Sequence, residues 1–131
     1  MIRINIYKFV PGIAWFFIVL VLMCMPGKEF PTVDWFSKIY FDKWVHTGIF
    51  ALLAFLFMLP IALSPMGNKE KLQWFIRIAI ATSVWGLTTE FIQKYFIAGR
   101  SFDLLDWAAD SLGAALAFLI CRKKYIAMAD V

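Results

Sequence analysis

Four long apolar stretches alternate with short polar or turn-rich segments along this chain. The first, residues 9–25, carries no charge. Pro11 and Gly12 stand at its start, where a missing amide donor costs a helix little, and Pro26-Gly27 ends it. The second, residues 44–63, has His46 near its start as its only ionisable group, and Pro60, Ser64-Pro65 and Met66-Gly67-Asn68 mark its close. A short polar turn is expected over residues 64–71, with Lys69, Glu70 and Lys71. The third stretch, residues 72–97, has Arg77 near one end, where its long side chain reaches back to water. Glu90 lies well inside it, and Gln93 and Lys94 follow. After a second turn, Ala98-Gly99-Arg100-Ser101, comes the fourth, residues 104–121, with Asp106 and Asp110 inside and Arg122, Lys123 and Lys124 behind. About 20 apolar residues cross a bilayer as a helix. The pattern predicts an all-α fold: one domain over residues 1–131, an integral membrane bundle of four transmembrane helices.

Two finer patterns add to this. Ala109, Gly113 and Ala117 recur every four residues, a small-residue stripe that lets another helix come close. Between the first two stretches, Trp35, Phe36, Ile39 and Tyr40 fall at helical spacing, with Asp34 and Lys38 on another face. That segment reads as a short amphipathic helix in the headgroup layer, or as an aromatic-belt loop without a helix.

Composition agrees with a membrane protein. Of 131 residues, 63% are hydrophobic and 17% charged, against roughly 25% charged in a soluble domain. The mean hydropathy is +0.76. A disordered chain would be polar, and so small a soluble domain could not hide this much apolar surface. The net charge of +4 comes without a basic stripe interleaved with aromatics, which argues against nucleic-acid binding. Cys24 and Cys121 are too few for a disulfide framework and fall at opposite membrane faces. Arg3 and Lys8 precede an apolar run as in a signal peptide, yet no small-residue cleavage site follows, so the segment is expected to stay as an anchor. Placing both termini in the cytoplasm puts eight of the 13 basic residues inside, including Arg122, Lys123 and Lys124, and five outside. The expected location is the cell inner (cytoplasmic) membrane, multi-pass, with both termini cytoplasmic.

In that orientation the outer end gathers the chemistry. Asp42, Lys43 and His46 open the second span; Glu90 and Gln93 close the third; Arg100, Asp103, Asp106 and Asp110 lead into the fourth. Spacings of three and four put each group on one helix face. An ionised carboxylate in lipid costs several kcal/mol, so Glu90, Asp106 and Asp110 are expected to face the bundle interior, with Lys43, Arg100 and His46 as the cations at that level. Such a network can simply fix helix register. Desolvation offsets the attraction in buried ion pairs, however, so several together point beyond packing. Taken singly, Asp42 and Asp103 fit helix caps, His46 fits an interior histidine, and Arg100 fits a partner for Asp103.

The segments Asp42-Lys43-Trp44-Val45-His46, Gly86-Leu87-Thr88-Thr89-Glu90-Phe91-Ile92-Gln93, Arg100-Ser101-Phe102-Asp103-Leu104-Leu105-Asp106 and Asp110-Ser111-Leu112-Gly113 together resemble the VanZ-like family. That family's pattern is Asp-Lys-x-x-His, Glu-x-x-Gln, Arg-x-x-Asp-x-x-Asp and Asn-x-x-Gly. The likeness covers roughly residues 40 to 120, and Asp110 stands where the family has Asn. The resemblance implies a small bacterial integral membrane protein; the family's namesake is linked to low-level resistance to the glycopeptide teicoplanin.

Three functions from different classes follow. The first is a non-enzymatic cell-envelope protein. Its outer pocket, formed by Asp42, Lys43, His46, Glu90, Gln93, Arg100, Asp103, Asp106 and Asp110, would bind a membrane-lipid headgroup, a lipid-linked precursor or a (lipo)glycopeptide such as teicoplanin. Lys43 and Arg100 would contact phosphate or carboxylate. The second is an intramembrane enzyme on a lipid-borne substrate, with His46 or Glu90 as general base. In it a divalent cation, Mg²⁺ or Mn²⁺, would sit among Glu90, Asp103, Asp106 and Asp110. The third is an ion-coupled transporter relaying through Glu90 and Asp110, for which four short spans would need a homo-oligomer.

Overall fold

The computed structural model describes residues 3–26 and 41–126. Among these residues the chain is all helical. A 3-10 turn at Ile6–Phe9 runs into α1 (Val10–Met23), followed by α2 (Phe41–Ala62), α3 (Asn68–Phe96) and α4 (Leu104–Tyr125). All four are long and apolar enough to cross a membrane, counting the 3-10 turn with α1. The protein is a multi-pass membrane protein. The 22 residues of α2 and of α4 each span about 33 Å at 1.5 Å per residue, close to the roughly 30 Å of a hydrocarbon core. Their outward faces are lined with exposed Trp, Phe, Leu and Ile side chains. In lipid those faces need no protein cover.

Successive helices run in opposite directions, so the start of α2, the end of α3 and the start of α4 share one end. The Lys43–Asp106 ion pair and the Gln93–Met23 hydrogen bond mark it; it is called the acidic end below. The opposite end carries Lys69, Lys71 and the Arg122-Lys123-Lys124 run.

Helix boundaries depart from the expected ones by up to a turn. The polar segment expected as a turn over residues 64–71 is shorter: α3 starts at Asn68, so Lys69, Glu70 and Lys71 form its first turn. Gly67 precedes it in an extended conformation, Glu70 offsets the unpaired N-terminal N–H groups, and Lys71 donates to the Ala62 carbonyl at 2.8 Å. Helix α2 begins three residues early and carries Asp42 and Lys43 in its first turn. Pro60 does not end it, because the lost hydrogen bond falls in the last turn, where Leu63 N–H still reaches Leu59 O at 3.0 Å. Helix α4 continues to Tyr125, with Arg122, Lys123 and Lys124 in its last turn, where cations meet the helix's negative pole. The amphipathic segment expected around Trp35–Tyr40 lies outside the described residues.

Helices α2 and α4 pack against each other most extensively. The reason is the small-residue stripe: Ala109, Gly113 and Ala117 are all buried. A Cβ on Gly113 would collide with the Thr47 carbonyl oxygen and lie 2.7 Å from the Ala51 amide nitrogen. The two backbones therefore touch. Thr47 Oγ1 sits 2.9 Å from its own helix's Lys43 carbonyl and 3.2 Å from the Ala109 carbonyl of α4. Dispersion at this seam replaces a hydrophobic driving force that lipid cannot supply. Toward the basic end, Ala54, Met58, Ile61, Phe75, Ala114 and Cys121 form a common core of α2, α3 and α4. The Ser83–Ser111 contact at 2.7 Å and Trp107 Nε1–H to Ser83 O at 3.0 Å fasten α3 to α4. Helix α1 buries only Gly12, Val19 and Met23 and leans mainly on α2 through Val19, Phe50 and Leu53. Trp15 Nε1–H donates to Ile49 O at 3.0 Å across that contact.

Gly113→Ala is expected to lower stability by roughly 1–3 kcal/mol, because its methyl group meets backbone that cannot step aside. Gly48, on the open side of α2, has no described atom within 4 Å of a Cβ. Gly48→Ala should be neutral or stabilising by up to ~1 kcal/mol through helix propensity. Thermal unfolding of both variants in one detergent checks the contrast.

Candidate functional site

Three helices place ionisable groups at one depth below the acidic end. His46 lies five residues into α2, Asp110 six residues into α4, and Glu90 six residues before the last residue of α3. At 1.5 Å per residue each is roughly 8–9 Å from its helix end. All three are buried, Glu90 and Asp110 completely. The cluster grades outward from there: Asp106 and Lys43 are nearly covered, Asp103 is partly exposed, and Asp42 at the rim has 61% of its side chain exposed.

Lys43 organises the mouth. Its ammonium lies 2.8 Å from Asp42 Oδ2, 2.7 Å from Asp103 Oδ2 and 2.5 Å from Asp106 Oδ1. An ammonium has three N–H donors, and three carboxylates take them. Asp103 joins all three helices. It caps α4, its Oδ1 accepting from Leu105 N–H at 2.8 Å, and its own N–H donates to Glu90 Oε2 at 2.9 Å. Asp103 precedes the membrane-spanning part of α4, and the Lys43 ammonium beside it holds its carboxyl below the usual carboxylate range.

Deeper in, His46 Nδ1 and Asp110 Oδ1 are 2.8 Å apart, and His46 Nε2 is 3.8 Å from Asp106 Oδ2. With Asp110 ionised, Nδ1–H is the donor, which fixes the ring's orientation. Two buried carboxylate oxygens, Glu90 Oε1 and Asp110 Oδ2, have no hydrogen-bond partner among the described residues. One ligand atom each from His46, Glu90 and Asp110 gathers within 4.8 Å of the others.

The structure thus brings together Asp42, Lys43, His46, Glu90, Asp103, Asp106 and Asp110. Gln93 and Arg100 serve a different contact. Gln93 Nε2 donates to Met23 O at 3.0 Å, and Arg100 Nε donates to Met25 O at 3.2 Å, so both hold the end of α1. Of the four residues singled out as metal candidates, Asp103 and Asp106 lie on Lys43, whereas Glu90 and Asp110 lie with His46.

Gly86 opens the second resembling segment but was not among the expected site residues. It sits one turn before Glu90, and a Cβ there would lie 2.8 Å from both the Cβ and Oδ2 of Asp110. Its lack of a side chain makes room for the Asp110 carboxylate. The available signal was its i, i+4 spacing to Glu90 on the buried face of α3.

No protein-family model, curated protein or solved structure matches the chain.

Two predictions follow from the mouth. Lys43→Met leaves Asp103 and Asp106 facing each other with no ammonium between them, at a cost on the order of 3 kcal/mol. Adding Asp106→Asn should recover part of that loss, as denaturant titration of the single and double variants in detergent would show. The lowered Asp103 pKa has a definite sign: its contribution is complete above its ordinary value of 3.8 and is lost as pH falls through the lower folded value. Asp103→Asn should therefore flatten the stability profile below about pH 4 and leave its shape at neutral pH unchanged; an unaltered acid limb would contradict the Lys43–Asp103 pairing.

Proposed function

We propose that this is a VanZ-like membrane protein of the bacterial cell envelope, whose acidic end binds the polar head of a lipid-borne ligand. On this reading the acidic end faces outward and the Arg122-Lys123-Lys124 run faces the cytoplasm, in keeping with the excess of lysine and arginine at the other end. The observation that carries it is the graded polar cluster itself. It lies at helix ends, where headgroups lie, and runs from exposed Asp42 to fully buried Glu90 and Asp110.

The chamber's chemistry narrows the ligand. Carboxylate acceptors outnumber donors, and Lys43 has no N–H left for a phosphate. A ligand suited to such a mouth brings donors of its own, sugar hydroxyls or an ammonium group, rather than a bare anion. Glycosylated lipids, lipid-linked sugar precursors and lipoglycopeptides such as teicoplanin share that chemistry. A second reading, an intramembrane enzyme with His46 as general base, is favoured by the 2.8 Å His46–Asp110 contact, which would orient the ring and stabilise its charged form.

Native mass spectrometry of the purified chain, offered a glycosylated diacylglycerol, phosphatidylethanolamine and phosphatidylglycerol together, tests both readings. The glycolipid and the ethanolamine lipid should be retained over the anionic lipid, and Asp42→Asn combined with Asp103→Asn should reduce that retention several-fold. Preference for phosphatidylglycerol, or none, contradicts the binding reading. Conversion of the retained glycolipid to a new mass, abolished by His46→Gln, supports the enzyme; unchanged lipid masses oppose it.

A further inference from the structure

The mouth and the floor of the chamber differ in how their charges are met. At the mouth one ammonium serves three carboxylates. At the floor the basic group gathered with the fully buried Glu90 and Asp110, among the described residues, is the His46 imidazole. Even a protonated imidazole leaves one negative charge over, in a place where an uncompensated charge is costly. Each carboxylate spends one oxygen on a known partner: Glu90 Oε2 on the Asp103 N–H, Asp110 Oδ1 on His46 Nδ1. The other oxygens, Glu90 Oε1 and Asp110 Oδ2, are buried carboxylate oxygens with no partner among the described residues. Protein interiors rarely leave such acceptors unmet.

We propose that His46, Glu90 and Asp110 form a binding site for one divalent metal cation. Their ligand atoms come from three helices and already lie within 4.8 Å of one another. Three donors bound to a common ion at about 2.0–2.2 Å lie roughly 3–4 Å apart, so side-chain shifts on the order of 1 Å close the set. Outer contacts hold the carboxylates as they do in metal centres: the Asp103 amide fixes Glu90, and the Asp103 side chain in turn is held by Lys43. Gly86 keeps clear the space beside Asp110 Oδ2, where a Cβ would lie 2.8 Å from that oxygen. One imidazole with two carboxylates suits Mn²⁺, at the overlap of nitrogen- and oxygen-preferring ions, better than a thiophilic metal. The ion would neutralise the floor and tie α2, α3 and α4 at a single point. This site stands apart from the lipid reading, since its ligands are all protein atoms below the mouth.

The probe is Mn²⁺ alone. Full-length protein in detergent, stripped with EDTA and desalted, is titrated while the electron paramagnetic resonance signal of free Mn²⁺ is followed. Wild type should take up one Mn²⁺ per chain. Glu90→Gln and Asp110→Asn should weaken that uptake by at least ~10-fold, and Gly86→Ala should weaken it by crowding Asp110. Glu70→Gln, an exposed carboxylate at the basic end, should leave it unchanged. A wild-type readout guards against variants that fail to fold: bound Mn²⁺ should broaden the nitrogen resonances of the chain's single histidine beyond detection. Absence of stoichiometric uptake, uptake untouched by Glu90→Gln in a folded variant, or a sharp His46 resonance at saturating Mn²⁺ would each overturn the site.

Discussion

The Lys43 ammonium, shared by carboxylates from two helices, is the interaction on which the rest of the arrangement rests. Inside a bilayer no water meets a stray charge, so every ionisable group in a span must find its partner within the protein. Lys43 binds Asp103 and Asp106 and so sets the register of α2 against α4. Asp103 then passes the constraint to α3 through its N–H to Glu90. A slip of α4 along α2 by one turn would strand several charges at once. Apolar contacts alone, smooth and exchangeable with lipid tails, would tolerate such a slip far better.

Small residues make that polar junction geometrically possible. Gly113 lets the backbones of α2 and α4 touch just below it, and Gly86 lets α3 approach the Asp110 side chain. Polar matching and close packing are thus one device: without the glycines the charges would not reach, and without the charges the close seam would lack a fixed register. Helix α1 stands outside this device. It is held by Trp15 on its face and, at the acidic end, by Gln93 reaching its last carbonyl, Met23 O, and Arg100 reaching Met25 O just beyond it. Gln93 thereby satisfies a carbonyl that the helix end leaves unpaired.

Hydropathy made the four helices and their alternating directions legible, because about 20 consecutive apolar residues have few other uses. Their ends were less so. The first turns of α2 and α3 are polar, and a hydropathy reading stops where polarity begins, although Asp42, Lys43 and Lys69–Lys71 are helical. At the site, spacing told which residues share a face, so the approach of His46, Glu90, Asp106 and Asp110 could be expected from steps of three and four. Spacing does not name the neighbour across the gap. Gln93 shares a face with Glu90 yet meets α1, and Arg100 reaches Met25; neither partner has any pattern in common with them. The division of the acids into a lysine-bound set and a histidine-bound set likewise depends on rotation between helices, which no one-dimensional pattern encodes. Gly86 was overlooked because its role is the absence of atoms.

The chain contains one histidine, so one imidazole reports on the whole junction. Nitrogen-15 NMR of histidine-labelled protein in nanodiscs, purified through a tag free of histidine, therefore tests the shared chamber most directly. The account predicts ring-nitrogen shifts of a hydrogen-bonded imidazole that move on Asp110→Asn, through direct contact, and on Glu90→Gln, across the chamber, while Glu70→Gln leaves them in place. An imidazole that titrates freely near pH ~6.5, indifferent to both Asp110 and Glu90, would contradict it.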